Sequence, residues 1–149
     1  MYKMLYTFRF EGKKYAYDSA SGAIMQPTAL EFKMLGAIQP PLTRACPTSL
    51  RYELAKFDSL DVEETYDGIY ALFEKKVLYV EDTGCIRVMT EGEYAFPSAG
   101  LMSAALEGVF SKAEGDIRFE ATGKDAVTAR KIASEVAARF GKTLFDCDI

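Results

Sequence analysis

The chain has 149 residues with 18 basic and 22 acidic side chains, a net charge of −4 and no histidine. That length holds one ordinary domain, or a small domain with an appendage. Absence of histidine removes the commonest general base and metal ligand, and residues 1–90 (eleven basic, twelve acidic side chains) carry no basic footprint for nucleic acid.

The first elements are strands. Met4, Tyr6, Phe8 and Phe10 alternate with Leu5, Thr7 and Arg9, giving a strand with an aromatic face. Glu11-Gly12-Lys13 turns it into a second strand over residues 14–17. Asp18-Ser-Ala-Ser-Gly22 is a second turn, because short polar side chains bond backbone and glycine reaches positive φ. Ala23 to Gln26 runs back as a third short strand, and Pro27 stops it.

Three helices follow. Thr28 and Glu31 form a capping box for a helix over 28–38, which Gly36 and Pro40-Pro41 end. Thr48 or Ser49 caps a short helix carrying Leu50, Leu54 and Phe57. Asp61, with Glu64 three residues on, caps a third helix whose apolar residues Val62, Tyr66, Ile69, Tyr70 and Phe73 recur at spacings of three and four. Residues 77–80 and 86–89, around Glu81-Asp-Thr-Gly84, are expected to pair as a hairpin. Three helices and a two-stranded wing give a winged-helix outline.

The texture changes near residue 91. Glu91-Gly-Glu93 and Pro97-Ser-Ala-Gly100 form a linker over residues 91–100. Beyond it come a helix over 101–110, a strand over 117–120, an Ala-rich helix over 124–140 burying Ile132, Val136 and Phe140, and a strand over 143–147. This is a βαβ unit with sheet edges that need cover. The expected fold is α+β: a winged-helix-like domain (1–90) with an N-terminal three-stranded antiparallel sheet, the linker, and a small βαβ unit (101–149).

Cys46, Cys85 and Cys147 are far apart and odd in number, which argues against a disulfide framework and offers no metal-ligand spacing. Each reads as a small packed apolar residue. No run reaches the roughly 20 apolar residues of a membrane span. The N-terminal residues lack a signal-peptide profile, so a cytoplasmic protein without a membrane partner is expected.

Residues Phe10-Glu-Gly-Lys-Lys-Tyr-Ala-Tyr-Asp-Ser-Ala-Ser-Gly-Ala-Ile, then Leu30-Glu-Phe-Lys-Met-Leu, then Val62-Glu-Glu-Thr-Tyr-Asp-Gly-Ile-Tyr-Ala-Leu-Phe-Glu-Lys-Lys-Val-Leu-Tyr carry a likeness. They resemble the PqqD-like RiPP recognition element that precedes the barrel in radical S-adenosylmethionine/SPASM maturases of Cys-rich, thioether-forming peptides. Residues 116–145 resemble a degenerate piece of the same enzymes. Ala121, Thr122, Gly123 and Lys124 stand where the family has a Gly-Gly-Glu-Pro loop, and its CxxxCxxC cluster motif is missing. Catalysis by the family's route is therefore excluded.

The resemblance implies non-catalytic binding of a ribosomal precursor's leader peptide, added as a strand beside the third strand and against the third helix. The implied site is Ala23, Ile24, Met25 and Gln26, flanked by Thr65, Tyr66, Ile69, Tyr70 and Phe73. No cofactor, catalytic residue or metal ligand is expected. A catalytically dead scaffold or partner subunit of a full-length maturase is the alternative, with a homodimer among the assemblies open to it. A winged-helix DNA-binding regulator ranks lower, because residues 61–76 hold five acidic side chains against two lysines. An enzyme would rest on the Ala121-Thr-Gly-Lys-Asp turn as an anion cradle, but that is no full P-loop.

Overall fold

A computed structural model describes residues 5–81 and 83–147. Met4, in the first expected strand, and Asp82, in the expected wing turn, lie outside the described residues. The fold is α+β, with two three-stranded sheets among the described residues. The first sheet is antiparallel, in the order β1 (Leu5–Phe10), β2 (Lys13–Asp18), β3 (Ala23–Met25). Glu11 and Gly12 both have positive φ, 51° and 78°, the two-residue turn that suits a tight hairpin.

Three helices follow: α1 (Ala29–Ala37), α2 (Thr48–Glu53) and α3 (Ser59–Glu74). The capping box of α1 is formed, with Thr28 Oγ1 accepting from Glu31 N and Glu31 Oε1 accepting from Thr28 N. The other two caps differ from expectation. Pro47 occupies the N-cap of α2 without a side-chain bond. Asp58, not Asp61, caps α3, because its carboxylate accepts from Leu60 N and Asp61 N.

The expected wing does not form. Lys76 and Tyr79 take left-handed φ values of 61° and 56°, which break strand alternation over residues 77–80. Leu78 and Tyr79 are both buried instead, and the Tyr79 hydroxyl donates to Leu35 O at 2.7 Å.

Residues 86–89 join a different sheet. The second sheet is parallel, β4 (Ile86–Met89), β5 (Ile117–Thr122), β6 (Leu144–Asp146), connected through α4 (Ala99–Lys112) and α5 (Ala126–Arg139). The βαβ unit is thus present as β5–α5–β6, with β4 paired on its far side. Ile86, Val88, Ile117 and Phe119 face the two helices, and Ala129, Ala133, Val136 and Ala137 bring α5 close to them. Phe140, expected in this core, is 39% exposed, because the helix has ended at Arg139.

The antiparallel sheet is the middle layer of the molecule. Ala16 and the partly buried Leu5 and Met25 pack against Met34, Leu35, Val62, Tyr66 and Ile69 of the helical cluster. Alternation along each strand sends Tyr17, Ile24, Phe8, Phe10 and Tyr15 to the opposite face, into the core of the parallel sheet and α4. Helix α4 crosses β1 at Gly108, where a Cβ would overlap the Tyr6 ring, so a larger residue would have to displace that ring.

The turn between β2 and β3 joins the two sheets. Arg87 N donates to Ser19 O at 2.7 Å and Met89 N to Gly22 O at 2.9 Å, so the turn occupies the outer edge of β4. The Asp18 carboxylate lies under the turn, fully buried. It accepts from Ala20 N, Ser21 N and Val80 N, and from the amide of Tyr79. Ser21 Oγ donates to Val77 O at 2.7 Å, so the segment after α3 is fastened to the same turn.

Candidate functional site

Antiparallel pairing decides which backbone groups face a neighbour and which face outward. Phe10 and Lys13 close the two-residue hairpin, so Tyr6, Phe8 and Phe10 exchange bonds with β2. By alternation, Lys14, Ala16 and Asp18 face β3, opposite Met25 and Ala23. Ile24 then points its amide away from the sheet. Its N–H donates to Tyr94 O at 2.9 Å.

That bond bears directly on the implied site. Ala23 and Ile24 are buried, Met25 is half-buried and Gln26 is exposed. The chain itself lies along the β3 edge, through Tyr94 at Ile24 and through Met89 at Gly22. The Met25 amide faces β2, so a proline there would break the sheet rather than test an added strand.

The implied helix residues divide in the same way. Tyr66 and Ile69 are each 1% exposed and belong to the helical core. The Tyr66 hydroxyl donates to Thr43 O, which holds the loop between α1 and α2, and burial raises its pKa. Thr65 is half-buried. Tyr70 and Phe73 are partly buried against that core, with ring centroids 5.9 Å apart. Met25 is the one β3 residue that packs on this cluster, while Ile24 enters the other core.

The opposite edge differs. Leu5, Thr7 and Arg9 direct their N–H and C=O groups outward from β1, and among the described residues these groups have no hydrogen-bond partner. Leu5 and Thr7 are half-buried and Arg9 is exposed, so the edge meets solvent along a six-residue strand. Tyr6 and Phe8 stack at 4.9 Å on the α4 face.

Cations flank this edge on both faces. Arg9 and Lys14 lie 5.8 and 6.0 Å from the ring centroid of Phe32 on α1. The next residue, Lys33, has its pKa lowered by the hydrogen bond and charge of Lys56. Lys112, at the end of α4, stands 5.1 Å over the Tyr6 ring. Chemically, the edge offers a row of backbone donors and acceptors between positively charged flanks.

Two other features of the sequence find ordinary places. The Ala121-Thr-Gly-Lys-Asp turn packs on Thr90, whose Oγ1 accepts from Asp125 N at 3.0 Å and donates to Thr122 O. Cys85 and Cys147 form a disulfide, Cα atoms 5.8 Å apart, against the reading of three independent thiols; Cys46 is free and buried. Sequence separation hid this pair, because the parallel sheet alone brings residues 62 positions apart together.

Leu5, Thr7 and Arg9 were not singled out by the sequence. The signal that could have found them was the two-residue Glu11-Gly12 turn, which fixes the outward amides of β1. A scan against protein-family models finds no match, and a search of the curated proteins finds no relative. No helix among the described residues is long and apolar enough to cross a membrane.

Proposed function

We propose that this chain is a non-catalytic binding protein for an extended acidic peptide, taken up as a fourth strand beside β1. The observation that carries the reading is the row of outward backbone groups at Leu5, Thr7 and Arg9, which have no partner among the described residues. An added strand takes its affinity from main-chain hydrogen bonds. Its specificity would come from charge, since Arg9, Lys14 and Lys112 flank the edge. The resemblance to RiPP recognition elements suggests the leader of a ribosomally made precursor as that peptide, in the cytoplasm. The strand used would then be β1 rather than β3.

A second reading, a scaffold or partner subunit of a full-length maturase, draws on the other sheet. Among the described residues strand β6 pairs with β5 alone, and Phe145 on it is 47% exposed. A stable complex with the maturase that leaves peptide affinity unchanged would favour this reading.

The test is a fluorescence-anisotropy titration with an acidic leader peptide encoded beside the gene, using Thr7→Pro. Proline at an edge-strand position with an outward amide removes a donor to the peptide and leaves the β2 pairing intact. Affinity is expected to fall about tenfold, the equivalent of roughly one net hydrogen bond. The double charge reversal Arg9→Glu/Lys14→Glu, which spares the backbone, should weaken binding further at low salt than at high salt. Unchanged affinity in both folded variants would refute the β1 edge.

A further inference from the structure

We propose that Cys85, Glu120 and Cys147 form a redox-gated binding site for a thiophilic divalent cation, of which zinc is the type. The inference stands independently of the peptide reading. One ligand atom from each of these residues lies within 4.8 Å of the others, on the sheet face away from α4 and α5. Register explains why. Arg87, Glu120 and the position after Asp146 fall in one row across β4, β5 and β6, and Cys85 precedes β4 on the same face as Arg87.

Two sulfurs and a carboxylate oxygen are the donor set that zinc takes, with water completing a tetrahedron. Zinc–sulfur bonds of about 2.3 Å put the two sulfurs roughly 3.8 Å apart. Thiols released from the disulfide therefore need little backbone movement to reach that spacing, with Glu120 already alongside.

The surroundings supply the remaining requirements. Cys85 is buried, and Cys147 and Glu120 are half-buried, so the cation would sit at a shielded rim. Arg87 Nε lies 3.8 Å from Glu120 Oε1 and offsets part of the negative charge of the donors. Arg87 also keeps its bond to Ala20 O at 3.0 Å, so it is not orphaned when Glu120 turns to a metal.

The two states exclude each other. In the oxidised chain the Cys85–Cys147 bond consumes both sulfurs. A dithiol reductant supplies two electrons and two protons, the S–S bond breaks, two thiols form, and the reductant leaves as its own disulfide. The cation then displaces the two thiol protons to solvent and forms two metal–sulfur bonds. Either link ties the end of β6 to the start of β4 across β5. In a reducing compartment, where disulfides are rare, the metal takes over the staple.

Cobalt(II) is the probe. The full chain is reduced with a dithiol, freed of it under argon, and titrated with Co²⁺ alone, followed by Zn²⁺ as competitor. One equivalent is expected to give tetrahedral visible bands and a sulfur-to-cobalt charge-transfer band, both abolished by Zn²⁺. The oxidised chain should show neither, and Cys46→Ser should behave as the parent. Cys147→Ser, at the end of the described chain, should lose most of the charge-transfer intensity without unfolding. Glu120→Gln should keep the band but weaken Co²⁺ binding about tenfold or more. A reduced parent without the band, or a band that survives in folded Cys147→Ser, would overturn the proposal.

Discussion

Replacing Gly22 with alanine is expected to destabilise the fold by about 3 kcal/mol, the sum of left-handed strain and overpacking. Gly22 has φ of +91°, where a Cβ is disfavoured by itself. The added atom would also stand 3.0 Å from both Met89 N and Val88 N and 3.1 Å from the Arg87 carbonyl carbon. These are backbone atoms of β4, which cannot rotate away as a side-chain tip can. Relief requires the turn to withdraw from β4, which lengthens the Met89 N to Gly22 O and Arg87 N to Ser19 O bonds together. Urea unfolding followed by circular dichroism checks this. A loss under about 1 kcal/mol would mean that the turn and β4 are not tightly docked.

Asp18→Asn is expected to cost on the order of 3 kcal/mol, from a buried acceptor replaced by a donor. The carboxylate accepts through Oδ1 from Ala20 N and Ser21 N, and through Oδ2 from Val80 N. An asparagine can keep the first pair but then turns its NH₂ group towards Val80 N–H, leaving two donors face to face. The same site governs a pH dependence. Burial raises the Asp18 pKa, and the amides of Ser21, Val80, Ala20 and Tyr79 draw it only part of the way back.

With a raised value the folded chain binds the Asp18 proton more tightly than the unfolded chain. The stability this contributes is complete below the ordinary carboxylate value and is lost as pH rises through the folded value. Asparagine does not titrate, so the gap between parent and variant should be larger near pH 4 than at pH 7. Denaturant midpoints for both chains across that range measure it. A gap that widened towards neutral pH would show the amides outweighing burial.

Local signals in the sequence carried the first half of the fold well. The Glu11-Gly12 turn, the Thr28–Glu31 capping box and the three-four spacing of Val62, Tyr66 and Ile69 each act within a few residues, and each is present. What failed depends on distant partners. Residues 77–80 and 86–89 alternate like paired strands, yet a left-handed Tyr79 and the buried demands of Asp18 draw the first into the helical core. The second is drawn to β5, whose paired residues lie 33 positions on (Ile86 with Phe119), because Ile86 and Val88 find α4 and α5 there.

The binding edge shows the same limit. Outward amides on β1 follow from hairpin geometry, but nothing near residue 24 announces that Tyr94 returns to bond it. Tyr66 shows how an apolar stripe serves the domain's own sheet first: its ring is core and its hydroxyl is spent on Thr43 O. The pairing of Cys85 with Cys147 was hidden for a related reason, since only the parallel register brings them together.

Amide hydrogen exchange, read residue by residue by NMR with and without an acidic leader peptide, tests strand addition at β1 most directly. Leu5, Thr7 and Arg9 amides should exchange fast in the free chain and become protected at saturating peptide, with Ile24 protected throughout by Tyr94 O. Saturable binding that leaves those three amides unprotected, or that alters exchange at Ile24 instead, would contradict a β1 site.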